Sequence, residues 1–286
     1  MSIVTFWNEG KEQTGKTLSI AAISTYMAMK HNYRILIIST GYKSQTLNQC
    51  FWKEKKAKRN FGLFGPNTSE IFEEGIAGLA KIVKSNKLSP ENITDYTKIV
   101  FKDRLEILQG FKGETSDYDE LEKTYPDIIT LANKYYDLVF IDLDSEINPE
   151  IADKILANSN LIVANISQGL TSIDRFMKLR EQKPILKSTK TLILIGRYDK
   201  FSKYNIKNIT RYMKEKNKVS TIPYNTLFFE ACEEAKLPDL FFNLNKVDEE
   251  DINGFFISEV KRTSENIMYR LQDLAMKMWG GEPKWQ

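Results

Sequence analysis

Histidine and cysteine, the residues most used in metal sites and nucleophilic catalysis, are scarce in this sequence. Its 286 residues include one histidine, His31, and two cysteines, Cys50 and Cys232. A single histidine excludes most zinc sites and Ser-His-Asp catalysis. Two cysteines do not make a disulfide framework, so we interpret both as small core or edge residues. His31 stands between a helix-like stretch and a strand-like one, which predicts a loop or a helix end.

Long apolar runs and a strong excess of one charge are also missing. No run approaches the roughly 18 to 20 residues that crossing a bilayer takes. The first residues, MSIVTFWN, have neither the basic head nor the cleavage site of a signal peptide. These absences predict a cytoplasmic protein. The formal net charge of +3 is too small to indicate nucleic acid as the main partner. The one dense basic run, residues 53–59, is interpreted as a solvated face; contact with nucleic acid, anionic lipid or an acidic partner is the alternative.

Strand-like and helix-like segments alternate along the chain. Hydrophobic residues make up 42% of the sequence and charged residues 28%, as in a globular protein with a packed core. Several short runs are almost continuously apolar and rich in β-branched residues, which is typical of parallel strands covered on both faces. The alternation predicts an α/β fold with a doubly wound, mostly parallel sheet of about seven strands flanked by helices. The predicted strands are Ile3–Trp7, Arg34–Ser39, Leu105–Leu108, Leu138–Leu143, Leu161–Ile166, Thr191–Gly196 and Val219–Pro223, and the predicted helices include Leu18–Met29, Ile71–Lys84, Pro126–Tyr135 and Ser172–Arg180.

No internal repeat or low-complexity linker divides the sequence. We therefore predict one domain over residues 1–279, followed by a flexible tail at 280–286. Residues 113–122, GETSDYDELE, are polar and acidic, which predicts a surface insertion before a helix. The last helical pattern, Ile257–Trp279, places its apolar residues roughly on one face. We expect this helix to dock on the sheet; the alternative is an amphipathic helix at a membrane surface.

The segment after the first predicted strand has the pattern of a phosphate-binding loop. Residues 10–17, GKEQTGKT, match G-x-x-x-x-G-K-[ST] and lie between a strand and a helix, as this motif requires. Glycines let such a loop wrap tightly, so that backbone N–H groups point at anionic oxygens beside the positive end of the helix. Lys16 would give a full charge to the terminal phosphates, and the Thr17 hydroxyl is placed to bind Mg²⁺. The sequence thus predicts a nucleoside-triphosphate site whose loop residues are Gly10, Lys11, Glu12, Gln13, Thr14, Gly15, Lys16, Thr17 and Leu18.

Lys11, five residues before Lys16, narrows the class of phosphate loop. Residues 11–17 resemble the deviant Walker A motif of the MinD/ParA family of ATPases, in which a lysine, two small residues and any residue precede G-K-[ST]. The resemblance implies ATP as the nucleotide, a homodimer with nucleotide at its interface, and a Lys11 that reaches the partner's nucleotide. A lysine at this position by chance is the alternative. Glu12 and Gln13 replace the two usual glycines, and a carboxylate repels phosphates unless it points outward, so we expect weaker nucleotide binding than is usual in the family.

Later segments resemble the same family in order and spacing, and together they cover roughly residues 2–240. Residues 136–142, YDLVFID, resemble the strand that ends in the family's magnesium-binding aspartate. This implies that Asp142 is catalytic together with Lys11 and holds Mg²⁺ together with Thr17; an aspartate that caps a loop is the alternative. Asp144 could share the role. Residues 191–198 and 222–225 resemble the segments that contact the base, which implies adenine contacts by Arg197, Pro223, Tyr224 and Asn225.

Two aspartates that the family usually carries after its second strand are missing. Ser39 and Gly41 stand in their places. In relatives this region positions Mg²⁺ and the attacking water, and a hydroxyl cannot take a proton at neutral pH as a carboxylate does. We therefore expect slow ATP hydrolysis or none. The loss resembles the TadZ/CpaE branch, which implies a role in localising pilus machinery, although the receiver-like domain common in that branch has no counterpart before Gly10.

The resemblance favours a nucleotide-dependent positioning protein that recruits protein partners at a cell pole or assembly site. Such a protein would be cytoplasmic or peripheral to the inner face of the membrane. A metabolic kinase or ligase, the first alternative, would need a substrate pocket with added acid–base groups or a lid, and the sequence has no arginine-rich lid. A DNA-partition ATPase, the second, would need a basic surface patch, for which residues 53–59 are the only candidate in the sequence.

Overall fold

An eight-stranded sheet forms the centre of the computed structural model, which describes residues 1–10, 12–53, 75–83, 89–215, 219–244, 247–248 and 250–278. The strands are β1 Ser2–Trp7, β2 Ile35–Ser39, β3 Lys98–Phe101, β4 Leu105–Leu108, β5 Leu138–Asp142, β6 Leu161–Ile166, β7 Thr191–Tyr198 and β8 Val219–Pro223. Their spatial order is β3-β4-β2-β5-β1-β6-β7-β8, and every neighbouring pair is parallel except β3 and β4. This confirms the predicted doubly wound, mostly parallel α/β sheet.

The strand count exceeds the predicted seven by one, because β3 was missed. It pairs antiparallel with β4 at the edge of the sheet through a turn in which Asp103 has a φ of 59°. Ile99 in this strand is 57% exposed. The strand has only four residues and lies at the edge of the sheet, so its apolar run is shorter than the runs by which the other strands are recognised.

Helices cover both faces of the sheet. They are α1 Lys16–Lys30, α2 Thr46–Gln49, α3 Ile76–Val83, α4 Thr115–Leu121, α5 Tyr125–Ala132, α6 Pro149–Asn158, α7 Leu170–Gln182, α8 Ile206–Tyr212, α9 Thr226–Glu233, α10 Leu237–Asn243 and α11 Ile252–Met278, with short 3₁₀ turns at Pro90–Tyr96, Glu122–Thr124 and Pro184–Lys187. His31 is the residue that ends α1, as predicted.

Alternate residues of each strand feed two separate hydrophobic layers. In β6, Leu161 and Val163 pack with residues of α1, α9 and α11, whereas Ile162 and Ala164 pack on the other face with α5, α6 and α7. Because both faces are covered, the strands are apolar at consecutive positions, and this is the pattern that the sequence shows.

Two predicted segments differ from the structure. Residues 113–122 were expected to form a surface insertion, but most of this stretch is α4, and Tyr118 and Leu121 are buried against the sheet. Acidic residues occupy the solvent side of this short helix, so its composition reads as polar although two side chains enter the core. The predicted helix at 71–84 is observed as α3, which begins only after Gly75, a turn residue with a φ of 70°; residues 71–74 and 84 lie outside the described residues.

The last helix, α11, docks on β8 at the edge of the sheet. Its side chains Val260, Ile267 and Leu271 are buried in the same layer as α1. Polar links add to this: Thr263 Oγ1 donates to the Thr221 carbonyl at 3.0 Å, and Asn266 Nδ2 donates to Ser220 Oγ at 2.9 Å. These side chains are therefore used inside the protein, which is the docking on the sheet that the sequence predicted.

None of the helices in the described ranges combines the length and apolarity needed to cross a bilayer. Trp279 and the tail 280–286 lie outside those ranges, as does most of the basic run at 53–59.

Candidate functional site

The phosphate loop connects β1 to α1 and is shaped by residues with left-handed backbone conformations. Gly10 has a φ of 57° and Gly15 a φ of 75°, which glycine adopts without steric cost. The Asn8 side chain braces the loop from within: its Nδ2 donates to the Gly10 carbonyl at 2.9 Å and to the Glu12 carbonyl at 3.3 Å. The loop thus closes on itself and delivers the chain directly into the N-terminus of α1.

Lys16, Thr17 and Asp142 meet at the start of α1. The Lys16 ammonium lies 3.2 Å from Asp142 Oδ1 and also donates to the Leu143 carbonyl. Thr17 Oγ1 donates to Asp142 Oδ2 at 2.8 Å. The side chains of Lys16 and Asp142 are only 10% and 7% exposed. A charged pair so little exposed to water interacts strongly, so these residues form a preorganised cation and carboxylate beside a helix N-terminus.

The sheet register places Asp142 at this point. It ends β5, where it lies opposite Phe6 of β1 and Ser39 of β2. Thr40, just after β2, locks the position: its backbone N–H donates to the Asp142 carbonyl at 3.2 Å, and its hydroxyl accepts from the Asp144 N–H at 2.8 Å. The carboxyl ends of parallel strands are the usual place for a ligand site in this architecture.

Glu12 points away from the centre of the loop. Its Oε2 accepts a hydrogen bond of 3.0 Å from Ser172 Oγ and lies 3.9 Å from Arg175 Nη1, both on α7. Ser172 Oγ in turn accepts from the Ser167 N–H at 3.2 Å. The carboxylate is thus turned towards α7, which is the outward orientation that a phosphate site requires of it.

Gly196, near the end of β7, lets the loop come close to the sheet. A Cβ at this position would fall far inside van der Waals contact of the Thr14 carbonyl oxygen and 3.6 Å from Ser19 Oγ. Any side chain here would push the phosphate loop out of place.

A pocket opens beside the loop, where the base-contacting residues were predicted. Its volume is about 310 Å³, and it has Leu18 on one side and Phe228 and Phe229 of α9 on another. Arg197, in a bulge of β7 with a φ of 51°, lays its side chain over Gly15, where a Cβ would meet Arg197 Cγ at 3.3 Å. The pocket is lined by Gly15, Leu18, Ser19, Arg197, Ile222, Pro223, Tyr224, Asn225, Phe228 and Phe229.

Asn225 lines this pocket, but its side-chain atoms are already engaged. Oδ1 caps α9 by accepting from the Phe228 N–H at 2.8 Å, and Nδ2 donates to Asn253 Oδ1 of α11 at 2.9 Å. Tyr224 is 55% exposed, and its N–H donates to the Tyr198 carbonyl at 3.1 Å. Tyr224 and Pro223 therefore offer apolar surface, whereas Asn225 fixes the wall of the pocket to α11.

Gly41, which stands where the MinD/ParA family usually has its second aspartate, is tightly packed. A Cβ on Gly41 would lie 2.8 Å from Ser44 Cβ and 2.9 Å from Asp144 Oδ2. The Asp144 carboxylate therefore occupies the space that a side chain at position 41 would enter.

The Tyr118 hydroxyl is kept protonated beside this carboxylate. Burial, and next the charge of Asp144, raise the pKa of the Tyr118 hydroxyl well above its ordinary value, and this hydroxyl donates to the Thr40 carbonyl at 2.6 Å.

The residues present fit a magnesium–nucleotide complex. Thr17 Oγ1 and the Asp142 carboxylate are hard oxygen ligands of the kind Mg²⁺ takes in such sites. Thr14 Oγ1 is buried and, within the described part of the chain, has no hydrogen-bond partner, so it is free to donate to an anionic oxygen. Among the described residues no group of three or more His, Cys, Asp or Glu side chains could hold a metal ion by itself, so a cation here would depend on ligand oxygens and water as well.

The structure thus brings the predicted site residues together at the carboxyl ends of the strands, with two exceptions. Lys11 lies outside the described residues, and Gln13 is exposed. Sequence reasoning missed Asn8 and Thr40, which hold the loop and Asp142, and it missed Ser172 and Arg175, which hold Glu12. Asn8 could have been noticed because it adjoins the motif, whereas the α7 residues carry no signal until the fold places them.

The chain as a whole is similar to solved ATPase structures of the MinD/ParA family. It matches a ParA family ATPase from Chlorobium tepidum TLS with a TM-score of 0.67 at 12% identity, covering 92% of this chain and 98% of that one. It matches the septum site-determining protein MinD from Pyrococcus horikoshii OT3, complexed with Mg-ADP, with a TM-score of 0.61 at 14% identity, covering 93% and 95%. It matches MinD in the MinC:MinD cell division complex of Aquifex aeolicus with a TM-score of 0.56 at 11% identity, covering 100% and 99%.

At these identities the similarity shows the fold. No protein-family model matches the chain, and neither does any curated protein.

Proposed function

We propose that this chain, as a single domain over residues 1–279, binds ATP with Mg²⁺ and acts as a nucleotide-dependent positioning or assembly protein of the MinD/ParA type. The observation that carries the proposal is the cluster of Lys16, Thr17 and Asp142 where the phosphate loop enters α1. The fold alone holds two oppositely charged side chains and a hydroxyl together there, without a ligand. The MinD of similar fold complexed with Mg-ADP supports the choice of nucleotide and cation.

Each residue of the cluster has a distinct task in this account. Lys16 would bind the terminal phosphates, and the loop N–H groups and the Thr14 hydroxyl would bind the remaining anionic oxygens. Thr17 and Asp142 would hold Mg²⁺, which neutralises phosphate charge when it is bound.

The base lies in the pocket between the loop and α9. Pro223 and Tyr224 would offer it apolar surface, and Arg197, whose side chain lies beside Gly15, would border it. The apolar lining and the aromatic side chains suit a purine. The choice of adenine over guanine rests on the resemblance of residues 191–198 and 222–225 to the segments that contact the base in the MinD/ParA family.

Hydrolysis is proposed to be slow. Ser39 and Gly41 supply no carboxylate, and Gly41 is packed too tightly for an acid to be accommodated there. Asp144, whose carboxylate lies beside Gly41, is the residue best placed to orient a water in their stead. A weak ATPase that stays long in its nucleotide-bound form suits a protein that marks a place rather than one that turns over rapidly.

The proposal also includes a homodimer and a protein partner. We infer a homodimer with nucleotide at its interface, in which Lys11 reaches the partner's nucleotide. The MinD of similar fold that was crystallised with MinC supports a protein partner as the readout of the nucleotide state. Localisation of pilus machinery, as in the TadZ/CpaE branch, is the specific role that the lost aspartates favour, and a cytoplasmic or membrane-peripheral location goes with it.

The proposal is tested by sizing the purified chain with ATP, with ADP and without nucleotide, while phosphate release is followed in the same samples. We expect ATP-dependent dimers and slow release, both lost in Lys16→Ala. A monomer under all conditions, or rapid hydrolysis, would contradict the positioning role.

A second candidate function, binding of nucleic acid, is favoured by one surface. Residues 170–215 carry twelve lysines and arginines against four aspartates and glutamates, although the whole chain has a net charge of only +3. Contacts join α7 to α8 and to the segment that follows it: the Tyr212 hydroxyl of α8 donates to Asp174 at 2.6 Å, and Arg180 pairs with Glu215, just after α8, at 2.5 Å. The exposed Lys178, Lys207 and Arg211 lie on these two helices, and the exposed Lys214 follows α8. This basic surface adds a candidate that the sequence alone had placed only at residues 53–59.

Titration of a fluorescent DNA duplex at two salt concentrations tests this candidate. If the basic surface binds phosphates, the double variant Lys207→Glu/Arg211→Glu should weaken binding and flatten its salt dependence. The double variant Lys261→Glu/Lys277→Glu, which makes the same total charge change on α11 across the sheet, serves as the control. Equal effects of both variants would mean that DNA binding depends on net charge alone and not on this surface.

A further inference from the structure

The only two cysteines of the chain, far apart in sequence, are brought together in the fold. Cys50 is the residue that ends α2, and Cys232 lies in the last turn of α9. Their side chains are 0% and 2% exposed and belong to the same hydrophobic layer. The Leu237 N–H, at the start of α10, donates to the Cys50 carbonyl at 3.4 Å, which ties the chain just after Cys232 to Cys50.

The two thiols are neighbours in this layer. A hydrogen bond with the Cys50 thiol and, next to it, burial raise the pKa of the Cys232 thiol far above its ordinary value. Cys50 Sγ also donates to the Thr46 carbonyl at 3.3 Å within its own helix. In the described part of the chain no third His, Cys, Asp or Glu joins them as a possible metal ligand, so the pair is better suited to bonding with itself than to holding a metal.

We propose that Cys50 and Cys232 are a modification site at which a reversible intramolecular disulfide forms in the presence of a low-molecular-weight disulfide such as oxidised glutathione. One cysteine, as thiolate, attacks a sulfur of the small disulfide, and the bond between its two sulfurs breaks to release one small thiol. The second cysteine then attacks the protein sulfur of this mixed disulfide and releases the other small thiol. Two protein thiols are oxidised, one small disulfide is reduced to two thiols, and the two protons pass to the released thiols.

Access sets the rate of this reaction. Both sulfurs are buried, and a protonated Cys232 is a poor nucleophile, so attack waits for a local opening. We expect such an opening at α2, a helix of four residues that Cys50 directly follows. Oxidation is therefore expected to be slow and selective, and the bond, once formed, is shielded from further exchange.

The bond would tie α2, which follows the loop after β2, to α9, whose Phe228 and Phe229 line the pocket beside the phosphate loop. A fixed α9 would hold that wall of the pocket in place and slow the exchange of a bound nucleotide. This consequence rests on the proposed function, whereas the bond itself does not.

The test is a count of free thiols on the full chain after incubation in glutathione buffers of increasing oxidised fraction. The protein is quenched in denaturant with a maleimide, and its intact mass is measured. We expect species with two adducts to be converted into species with none, a cross-linked peptide that contains Cys50 and Cys232, and full reversal by dithiothreitol. The single variants Cys50→Ala and Cys232→Ala should each keep one reactive thiol or one glutathione.

Three results would overturn the proposal. They are a stable glutathione adduct on the native chain, a cross-link between two chains, and retention of both thiols even after refolding from denaturant in the same oxidising buffer. The refolding arm separates poor access from wrong geometry, and none of these readouts depends on nucleotide binding.

Discussion

Glu12 Oε2 accepts a hydrogen bond of 3.0 Å from Ser172 Oγ, so the acid in the phosphate loop is fastened to α7 instead of facing the loop's centre. Arg175, 3.9 Å from the same oxygen, adds a partly exposed ion pair. A carboxylate in this position is thereby made compatible with phosphate binding, although its charge remains close enough to matter.

We predict that Glu12→Gln tightens ATP binding. The amide keeps a hydrogen-bond acceptor for Ser172 but removes a negative charge near the phosphates, and Arg175 is released to face them. At low salt we expect an increase in affinity of about twofold to tenfold, which shrinks as salt screens the charges. Calorimetric titration with ATP measures it.

Glu9→Gln, at the start of the same loop, is the matched control because it removes the same charge where no contact to α7 is described. Equal gains from both variants would mean that only net charge matters. A loss of affinity in Glu12→Gln would mean that its ion pair with Arg175 holds the loop in its binding conformation.

We predict that Gly196→Ala displaces the phosphate loop. The added methyl group would collide with the Thr14 carbonyl, which belongs to the backbone and cannot rotate away. We expect unfolding free energy to fall by about 1–3 kcal/mol, and ATP affinity by about tenfold or more. Urea unfolding and nucleotide titration measure the two effects.

Gly169→Ala makes the same chemical change at the residue that precedes α7, where a Cβ would meet nothing within 4 Å. It should leave both quantities nearly unchanged. If Gly196→Ala behaved like this control, the close approach of β7 and the loop would not be a constraint.

Gly41→Asp should fail to restore hydrolysis. Its Cβ would meet Ser44 Cβ at 2.8 Å and Asp144 Oδ2 at 2.9 Å, and a second carboxylate would stand beside the first. We expect a loss of about 1–3 kcal/mol in unfolding free energy and no rise in phosphate release. Gly169→Asp, in open space, is the control for the added charge. Faster hydrolysis at unchanged stability would show that the site lacks only the acid.

Local sequence was enough to predict the parts of the site that lie on one continuous segment. The strand, loop and helix around Lys16 are adjacent in the chain, and the spacing of glycines and lysine follows from how a backbone wraps an anion. The strand β5 was also predictable, as Leu138–Leu143, one residue longer than observed, and Asp142 was singled out by its place in the YDLVFID segment.

Relations across the sheet could not be predicted in this way. That Gly196 receives the Thr14 carbonyl, and that Glu12 meets Ser172, depends on how β7 and α7 lie against the loop. The edge strand Lys98–Phe101 and the helix Thr115–Leu121 were missed because both are short, so tertiary contacts decide their conformation. The two cysteines give the same lesson: nothing in their sequence neighbourhoods shows that they are neighbours in space.

The central claim is that the cluster around Lys16 binds a triphosphate, and calorimetry with ATP and ADP in the presence of Mg²⁺ tests it most directly. The native chain is compared with Lys16→Ala, and Lys261→Ala on α11 serves as the control for loss of a surface lysine. The account predicts that the native chain and the control bind nucleotide, whereas Lys16→Ala loses at least about a hundredfold in affinity, or about 3 kcal/mol. No binding by the native chain, or equal binding by Lys16→Ala, would contradict it and leave the loop as a structural feature of an ATPase fold.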